Sequence, residues 1–534
     1  HYAAVKNKWD RVKLLLVRAF KHPEAQESVV NKLIESCEIT QGCLKSLIEL
    51  IQNLFVMGID CQVFTSPLLK KVLMSGDLSL LKMLDQHEDS RIKTIIYYTT
   101  KEGENLALLA AANGQTKVLD WLMDHQDATM KEMLHAKDNY GTNLAILAAK
   151  HGQTNVLAWL WNHQDATMKE MLQAKTNKGA NLALIAAKHG QTNVLDWLRD
   201  HDDATIKEML HAKENKGANL ALIAAAKGQT NVLDWLMGHD DATMKEMLQA
   251  KTNKGANLAL LAAANNRTNV LAWLLNPENA TMKETLHAKN NYGSNLALLA
   301  AKHGQTKVLA WLWDHQDASM KKTLHAKNNY GTNIALIAAA HGHTNVLAWL
   351  RDHEDATMKA MLHAKTNQGD NIALIAAAHG HTNVLAWLRD HEDATIKAML
   401  YAKNNYGSNL AFIAAFNGET DVLKWLWDHE DATMKEMLQA KTNKGANLAL
   451  IAAKHGQTKV LAWLWDHEDA TMKAMLHAKE NNGNNLAILA AKHGKTKVLA
   501  WLWDHQDASM KKTLHAKNNY GTNIALIAAF NGQT

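Results

Sequence analysis

Histidine and aspartate stand two residues apart at a regular interval in this chain, as in the stretches 163–165 and 201–203. An imidazole beside a carboxylate could transfer protons or bind a metal ion. The pair recurs in nearly every repeat, however, whereas an active site needs it only once. Equivalent histidines on adjacent packed helices would lie roughly 8–10 Å apart, which is too far to share one metal ion at about 2 Å. We therefore predict structural roles: a histidine such as His163 at a helix C-terminus, where the dipole favours the cationic form, and Asp165 or Thr167 as a helix cap.

No other motif in the sequence indicates catalysis or cofactor binding. The chain contains no glycine-rich phosphate loop, no CxxC pair and no nucleophile motif. Cys37, Cys43 and Cys61 are unevenly spaced, which is more typical of a reducing compartment than of a disulfide framework. The sequence therefore predicts a cytoplasmic protein that is not an enzyme and that binds no metal ion or cofactor.

The elements that carry these residues follow a 38-residue period from about residue 65 to the end of the chain. A glycine stands two residues before each of a series of asparagines spaced 38 residues apart. These asparagines are Asn105, Asn143, Asn181, Asn219, Asn257, Asn295, Asn333, Asn371, Asn409, Asn447, Asn485 and Asn523. Such a period indicates a solenoid in which one supersecondary unit stacks on copies of itself.

One repeat, residues 138–175, predicts three helices. Asn143 is placed to cap the first helix, and Gly152 to end it in the left-handed conformation. Thr154 is expected to cap the second helix. Thr167 is expected to start a third, shorter helix, with Glu170 completing a capping box. Asn266 replaces the second glycine in one repeat, as expected where φ is positive.

The apolar residues of the repeat are spaced as on helices. Leu144, Leu147 and Ala148 follow i, i+3, i+4 spacing, which predicts one buried face on the first helix. Val156 and Trp159 belong to the predicted inner stripe of the second helix. Trp121, Trp159, Trp197 and their periodic equivalents are therefore interpreted as core residues between repeats.

The segment GTNLAILAAKHG over residues 141–152 resembles the ankyrin repeat motif G-x-T-P-L-H-x-A-A-x-x-G. The Thr-Pro-Leu-His tetrapeptide is replaced here by residues such as Asn-Leu-Ala-Ile, and the period is 38 rather than 33. The additional residues fall in the connector, where we expect a short helix instead of the ankyrin β-hairpin. The resemblance implies an all-α, ankyrin-like solenoid, an elongated curved superhelix of about 13–14 stacked repeats. A HEAT-like or other helical-pair solenoid is the alternative fold.

The resemblance also suggests how the chain is divided. We expect degenerate repeats over residues 1–64 and one continuous regular array over residues 65–534, with the last repeat truncated. Because the chain starts at His1, we expect it to be a piece of a longer protein.

Variation among the repeats is concentrated at a few positions. The residue before the first glycine is tyrosine, lysine, glutamine or asparagine, and the residue after that glycine varies with it. The residues that end the first helix also vary. By resemblance to ankyrin repeats, both positions face a partner on the concave side. The predicted partner-binding residues are Tyr140, Lys178, Lys216, Lys254, Tyr292, Tyr330, Gln368, Tyr406, Lys444, Asn482 and Tyr520 in the turns, and Lys150, His151, Lys188, His189, Lys302, His303, Phe416, Lys454 and Lys492 at the helix ends. Neutral drift in a recently expanded array is the alternative explanation.

Two functions fit these residues. The first is a scaffold that binds a protein partner through the concave face, as ankyrin arrays do, acting as a monomer without membrane contact. By analogy with long ankyrin arrays in bacterial effectors, the location could be the host cytosol. The second is a nucleic-acid-binding repeat protein that reads its target through the paired turn residues. The formal net charge of +5, from 58 basic and 53 acidic residues, does not require a nucleic acid.

Overall fold

The computed structural model describes residues 69, 72–73, 77–163, 165–239, 241–315, 318–429, 431–505 and 508–530. All regular secondary structure in these residues is helical, which confirms the predicted all-α repeat solenoid. The predicted degenerate repeats over residues 1–64 lie outside this part of the chain. The structure divides between Asn253 and Lys254 into two compact units, and each is built from the same three-helix repeat.

The first helices begin one residue after the periodic asparagine. They are Leu106–Ala112, Leu144–His151, Leu182–His189 and Leu220–Lys227 in the first unit, and Leu258–Ala264, Leu296–Lys302, Ile334–Ala340, Ile372–Ala378, Leu410–Asn417, Leu448–His455, Leu486–Lys492 and Ile524–Phe530 in the second. Within each unit, the first helices of consecutive repeats pack directly on one another.

From Thr116–Asp124 onward, the second helices pack against the first helices of their own repeats. They are Leu78–Asp85, Thr116–Asp124, Thr154–Asn162, Thr192–Asp200 and Thr230–Met237 in the first unit, and Thr268–Leu275, Thr306–Asp314, Thr344–Asp352, Thr382–Arg389, Thr420–Asp428, Thr458–Asp466 and Thr496–Asp504 in the second.

The connector forms a third helix, as expected, and several of these helices end in a 3₁₀ turn. In the first unit they are Ser90–Lys93, Ala128–Glu132 with Met133–His135, Ala166–Leu172, Ala204–Glu208 with Met209–His211, and Ala242–Gln249. In the second they are the 3₁₀ segment Pro277–His287, kinked at Asn279, then Ala318–Leu324, Ala356–Ala360 with Met361–His363, Ala394–Lys397 with Ala398–Tyr401, Ala432–Gln439, Ala470–Ala474 with Met475–His477, and Ala508–His515.

The core of each unit is centred on the first helices. In Leu144–His151, all six residues from Leu144 to Ala149 are buried, rather than the single face that the spacing predicted. The helix is buried all round because other helices pack on it from the preceding repeat, the following repeat and the second layer. Alanine at half of these positions lets neighbouring helices approach closely.

The predicted ends of the first helix are confirmed. The Asn143 side chain accepts a hydrogen bond from the amide of Ile146 at 3.0 Å. Gly152 ends the helix at φ 76°, and the Gln153 amide donates to the Ala148 carbonyl at 2.8 Å, as in a Schellman motif. Asn266 adopts φ 60° at the equivalent position, as predicted.

Two capping predictions are wrong. Thr154 is the first residue of the second helix, and Gln153 stands before it without a side-chain capping bond. Thr167 lies inside the third helix, whose cap is Asp165, so of the two caps predicted for this helix Asp165 is confirmed and Thr167 is wrong. The Asp165 carboxylate accepts from both the amide and the hydroxyl of Thr167, each at 2.8 Å, so the side chain that was a candidate catalytic carboxylate fixes a helix end.

The tryptophans of the second helix are not core residues in general, contrary to the prediction. Trp159 is half-buried, and its indole nitrogen donates to the Asp120 carboxylate of the preceding repeat at 2.6 Å. Trp273, by contrast, is buried. A tryptophan can occupy the layer boundary because its ring is apolar while its N–H needs a polar partner.

Three of the histidines that follow the second helices are neutral, contrary to the expectation from the dipole. Burial, the largest cause, lowers the pKa of His353, His391 and His467 below the ordinary value. In each of them Nδ1 accepts a hydrogen bond from the amide two residues later, at 3.0–3.2 Å. An accepting nitrogen carries no proton, so these rings are neutral connectors between the second and third helices.

Candidate binding surface of the turns and first-helix ends

Each turn before a first helix is held by its own side chains. In the turn of Tyr140, the Gly141 amide donates to the Asp138 carbonyl at 2.9 Å. The Asp138 carboxylate accepts from the amides of Tyr140 at 2.9 Å and Thr142 at 2.7 Å. Such an Asx turn fixes the main chain and leaves the side chain of Tyr140 exposed.

Lysine turns use different chemistry. The hydroxyl of Thr176 accepts from the Ala180 amide at 3.2 Å, and the Thr176 amide donates to the Ala180 carbonyl at 2.9 Å. The residue after the glycine is buried in some turns of both kinds, as Thr142 and Ala180 are, and half-buried in others, as Thr332 and Ser408 are. The covariation across the glycine therefore reflects the turn type and local packing, and only one residue of each pair, such as Lys178, points outward.

Consecutive turns are joined by hydrogen bonds that form a ladder. The amide of Asn139 donates to the Glu102 carbonyl of the preceding repeat, and its side-chain nitrogen donates to the Lys101 carbonyl, each at 2.9 Å. Equivalent side-chain bonds at 3.1–3.4 Å are made in the second unit by Asn329, Asn405, Asn481 and Asn519. These asparagines, which stand beside the variable residues, therefore support the scaffold.

Several turn glycines are required by this stacking as well as by their backbone conformation. Gly293 has φ 74°, and a Cβ atom on it would lie 2.1 Å from Oδ1 of Asn329 in the next repeat. The left-handed conformation and the close approach both exclude a larger residue.

The first-helix ends are joined to the next repeat in a similar way. The side-chain nitrogen of Gln153 donates to the Ala112 carbonyl at 3.2 Å, and that of Asn155 donates to the Gly114 carbonyl at 2.6 Å. In one repeat of the second unit, His343 takes the place of this glutamine. Its Nε2 lies 2.9 Å from the Lys302 carbonyl. These bonds satisfy helix C-terminal carbonyls that have no partner within their own helix.

The predicted contact residues are largely accessible. The five predicted tyrosines are between 45% and 79% exposed, and the turn lysines and Gln368 are exposed as well. Asn482, Lys150, His189, Lys454 and the remaining helix-end residues divide between half-buried and exposed. We refer to these predicted residues together as the turn surface.

The structure brings turn and helix-end residues together in the first unit. Burial lowers the pKa of Lys188, and the charges of Lys227, Lys178 and Lys150 lower it further, while Glu214 opposes them. Burial, followed by Lys188 and Lys150, lowers the pKa of His189 to about 4. Lysines from three consecutive repeats thus lie close enough to repel one another.

The second unit shows the same arrangement. Burial lowers the pKa of His303, and Lys302, His341 and His343 lower it further. Farther along the unit, the ring of Phe416 lies 4.0 Å from that of His455 in the next repeat. The predicted helix-end residues therefore form a continuous row with their neighbours.

Some residues of this row were missed by the sequence analysis. Lys227 occupies the position of His151 and His189 in its repeat, so the alignment of repeats contained the signal. His341, His343 and Lys495 belong to the row as well, since they lower the pKa of His303 or His493. Lys495 and His343 follow the second glycine, a position that was not among the predicted contact residues.

Acidic residues are concentrated at the other end of the second helix. That helix begins beside the row and ends about 13 Å away at residues such as Asp200, Asp202 and Asp203. The carboxylate of Asp203 caps the third helix, and its hydrogen bonds to Thr205 lower its pKa. In repeats such as that of Lys188, lysines lie where the second helix starts and carboxylates lie where it ends.

Comparison with protein-family models and with curated proteins found no match to this chain. Within the described residues, no cluster of three or more histidine, cysteine, aspartate or glutamate side chains could hold a metal ion. No helix of that part of the chain has the length and apolar composition needed to cross a bilayer.

Proposed function

We propose that this chain is a non-enzymatic scaffold of the ankyrin type that binds a protein partner through the turn surface. The exposed tyrosines on a fixed main chain are the observation that carries the proposal. Tyrosine is enriched among the residues that dominate binding energy at interfaces. Because the turn ladder already fixes the backbone, little conformational entropy is lost when a partner binds.

The composition of the turn surface supports the same proposal. Tyr292, Tyr330 and Tyr406 provide apolar anchors in the second unit, with Gln368 between the last two. Phe416 adds a further exposed ring. We propose that the protein acts as a monomer in the cytoplasm, without a cofactor, and that the variable residues determine which partner binds.

Affinity capture from cell lysate with the full chain tests this proposal, with mass spectrometry of the bound proteins. We expect the double variant Lys178→Glu/Lys216→Glu to lose the captured partner. The matched control, Lys131→Glu/Lys207→Glu, changes the net charge equally but alters exposed lysines on third helices. Equal capture by both variants would contradict a role for the turn surface, as would a partner held only through nucleic acid and lost after nuclease treatment.

A nucleic acid is the second candidate partner, and the row of lysines at the first-helix ends favours it. Lys150, Lys188 and Lys227 come from consecutive repeats and could neutralise successive phosphates. The proposed code of paired turn residues has less support, because Asn139 and its equivalents bond to the scaffold and the residue after the glycine is buried or half-buried. Binding of this kind would be insensitive to sequence.

A mobility-shift assay with random-sequence DNA and RNA separates the two candidates. A shift at micromolar protein and low salt that disappears in Lys150→Glu/Lys188→Glu would favour the nucleic acid. If the protein-binding proposal is right, we expect no shift at physiological salt.

A further inference from the structure

Two clefts between the ends of consecutive second helices have aromatic walls and acidic rims. One, of about 550 Å³, is lined by Trp427, Trp463, Asp466, His467, Glu468 and Asp469. The other, of about 380 Å³, is lined by Trp313, Trp349, Asp352, His353 and Glu354. We call them the Trp427 cleft and the Trp313 cleft, and both lie in the second unit.

The rings of the Trp427 cleft are held in place by the histidine between them. The His467 ring stands nearly perpendicular to Trp427 and Trp463, with centroids 4.3 and 5.0 Å away. Burial lowers the pKa of His467, and its Nδ1 accepts from the Asp469 amide at 3.1 Å. A neutral ring adds no positive charge that would repel a cation.

The carboxylates of this cleft remain available. Asp469 caps the third helix through bonds from the amides of Thr471 and Met472. Asp466 and Glu468 are exposed, and within the described residues neither forms an ion pair with a lysine or arginine. Two free carboxylates beside tryptophan rings are suited to a cation, since the ring face also attracts positive charge.

Other repeats show which cation fits this position. The repeat position of Trp427 is arginine in three repeats, as Arg199, Arg351 and Arg389. Arg199 lies over the ring of Trp235, 5.9 Å from its centroid, and is paired with Asp200 at 2.7 Å.

Arg351 makes the same contacts. It lies 6.0 Å from the centroid of the Trp387 ring and 2.6 Å from Asp352. Trp387 and Trp235 are the periodic equivalents of Trp463. Where the repeat carries tryptophan instead, as at Trp427, no arginine of the described residues lies over that ring. Asp200 and Asp352 correspond to Asp428, which does not line the Trp427 cleft, so these arginines show the stacking on the ring, while Asp466 and Glu468 are the carboxylates that the cleft itself offers.

We infer that the Trp427 and Trp313 clefts each bind the guanidinium group of an arginine presented by a protein partner. In the Trp313 cleft Asp352 is already paired with Arg351 at 2.6 Å, so Glu354 is the carboxylate left for a ligand. The planar guanidinium can stack on an indole and donate two parallel hydrogen bonds to a carboxylate, which an ammonium group cannot do. Lys435 lies over the Trp427 ring and Lys321 over the Trp313 ring, 5.5 and 4.8 Å from the centroids, but neither lysine lines its cleft.

This inference does not depend on the proposed function of the turn surface. The clefts lie at the acidic end of the second helix and would bind a cation. The row of lysines lies at the other end of that helix and would attract an anion. Variants of the turn surface and of the clefts should therefore act separately.

The test uses the full chain and a glycine–serine peptide that contains one arginine beside a photoreactive diazirine residue. A peptide with citrulline in place of arginine keeps the shape and removes the charge. After irradiation, mass spectrometry locates the cross-links. We expect labelling in the segments 463–469 and 349–354 with the arginine peptide, and roughly tenfold less with the citrulline peptide.

Two variants make the result specific. Trp427→Arg supplies the cation from the chain itself, as three repeats already do, and should remove labelling at 463–469 while that at 349–354 persists. Trp503→Arg adds the same charge at the same repeat position outside both clefts and should leave labelling unchanged. Asp466→Asn/Glu468→Gln, which keeps the packing, should also lower labelling at 463–469. Equal labelling by the citrulline peptide, or undiminished labelling in Trp427→Arg, would overturn the inference.

Discussion

At the scale of single residues, the periodic asparagine is the most constrained side chain of the repeat. In the repeat of Asn295, the side-chain oxygen accepts from the Leu298 amide at 3.1 Å, and the side-chain nitrogen donates to the Thr323 carbonyl at 2.8 Å. One buried amide thus starts the first helix and joins it to the third. The sequence predicted the first bond, but the second links residues 28 apart and needed the packed structure.

We predict that Asn295→Ala lowers the free energy of unfolding by about 1–3 kcal/mol, because it leaves buried backbone groups without partners. Asn345→Ala is the control. It removes one bond of 2.7 Å to the Gly304 carbonyl at an exposed position, and should cost under about 1 kcal/mol. Urea denaturation followed by circular dichroism measures both. Similar losses would show that burial of the asparagine is unimportant.

His189 predicts a dependence of stability on pH. Burial and then the neighbouring lysines lower its pKa to about 4 in the folded protein, whereas an unfolded histidine titrates near about 6.5. Because the unfolded state binds the proton more readily, stability should be fully present above about pH 6.5 and fall as the pH drops toward about 4.

We therefore expect His189→Gln to reduce the loss of stability between pH 7 and pH 5, measured by urea denaturation at each pH. Comparison of the variant with the parent at pH 8, where the histidine is neutral in both states, isolates any packing effect of the substitution. A parent and variant that lose equal stability on acidification would contradict the assigned cause.

At the scale of elements, the turn ladder explains why the repeat keeps its register. Two constraints favour glycine in these turns: a positive φ and close contact with the next turn. Two glycines of this chain separate the constraints, because one has both and the other has only the positive φ. Gly293 and Gly407 have φ of 74° and 75°. A Cβ on Gly293 would meet Asn329, whereas one on Gly407 would meet nothing within 4 Å.

We predict that both Gly293→Ala and Gly407→Ala lower the free energy of unfolding by about 1–2 kcal/mol, because alanine is strained in the left-handed conformation. Gly293→Ala should lower it by about 1–3 kcal/mol more because its Cβ atom clashes with Asn329. Chemical denaturation of the two variants measures the difference. Asn329→Gly should restore part of the loss in Gly293→Ala. Equal destabilisation of the two glycine variants would mean that the close stacking of turns contributes nothing.

The elements also show how far the sequence could be interpreted. The period, the three helices, Asn143 and Gly152 were predictable because each rests on local spacing or local backbone preference. The all-round burial of the first helix was not, because it depends on the repeats that pack on either side. Thr167 was misassigned because the neighbouring Asp165 side chain makes the capping bond that local rules gave to threonine. Thr154 was misassigned because the second helix begins without any side-chain capping bond.

The candidate site was predictable to a similar extent. Comparison of repeats located Tyr140, Lys178 and the other outward residues, since exposed positions are free to vary. It could not show that the residue after the glycine is buried or half-buried. The alignment placed Lys227 at a first-helix end, but it could not show how close Lys227 lies to Lys188. Both depend on which way a side chain points from a turn or a helix end.

At the scale of the whole molecule, a formal net charge of +5 conceals a separation of charge within several repeats. Lysines cluster at the first-helix ends, and carboxylates cluster where the second helix meets the third. Charges of one sign that recur in successive repeats create a local potential that the net charge does not report. The protein should therefore bind polyanions more strongly than its net charge suggests.

Retention on a heparin column tests this separation of charge. We expect Lys150→Glu/Lys188→Glu to elute at clearly lower salt than the parent, because the substitutions interrupt the row of lysines. Lys131→Glu/Lys207→Glu carries the same net charge but changes lysines on third helices, next to the carboxylates, so it should elute close to the parent. Screened surface charges act only within about a Debye length of 8–10 Å, so a local row of lysines should make the position of the substitutions matter. If both double variants shifted equally, net charge alone would govern retention and the row would have no separate effect.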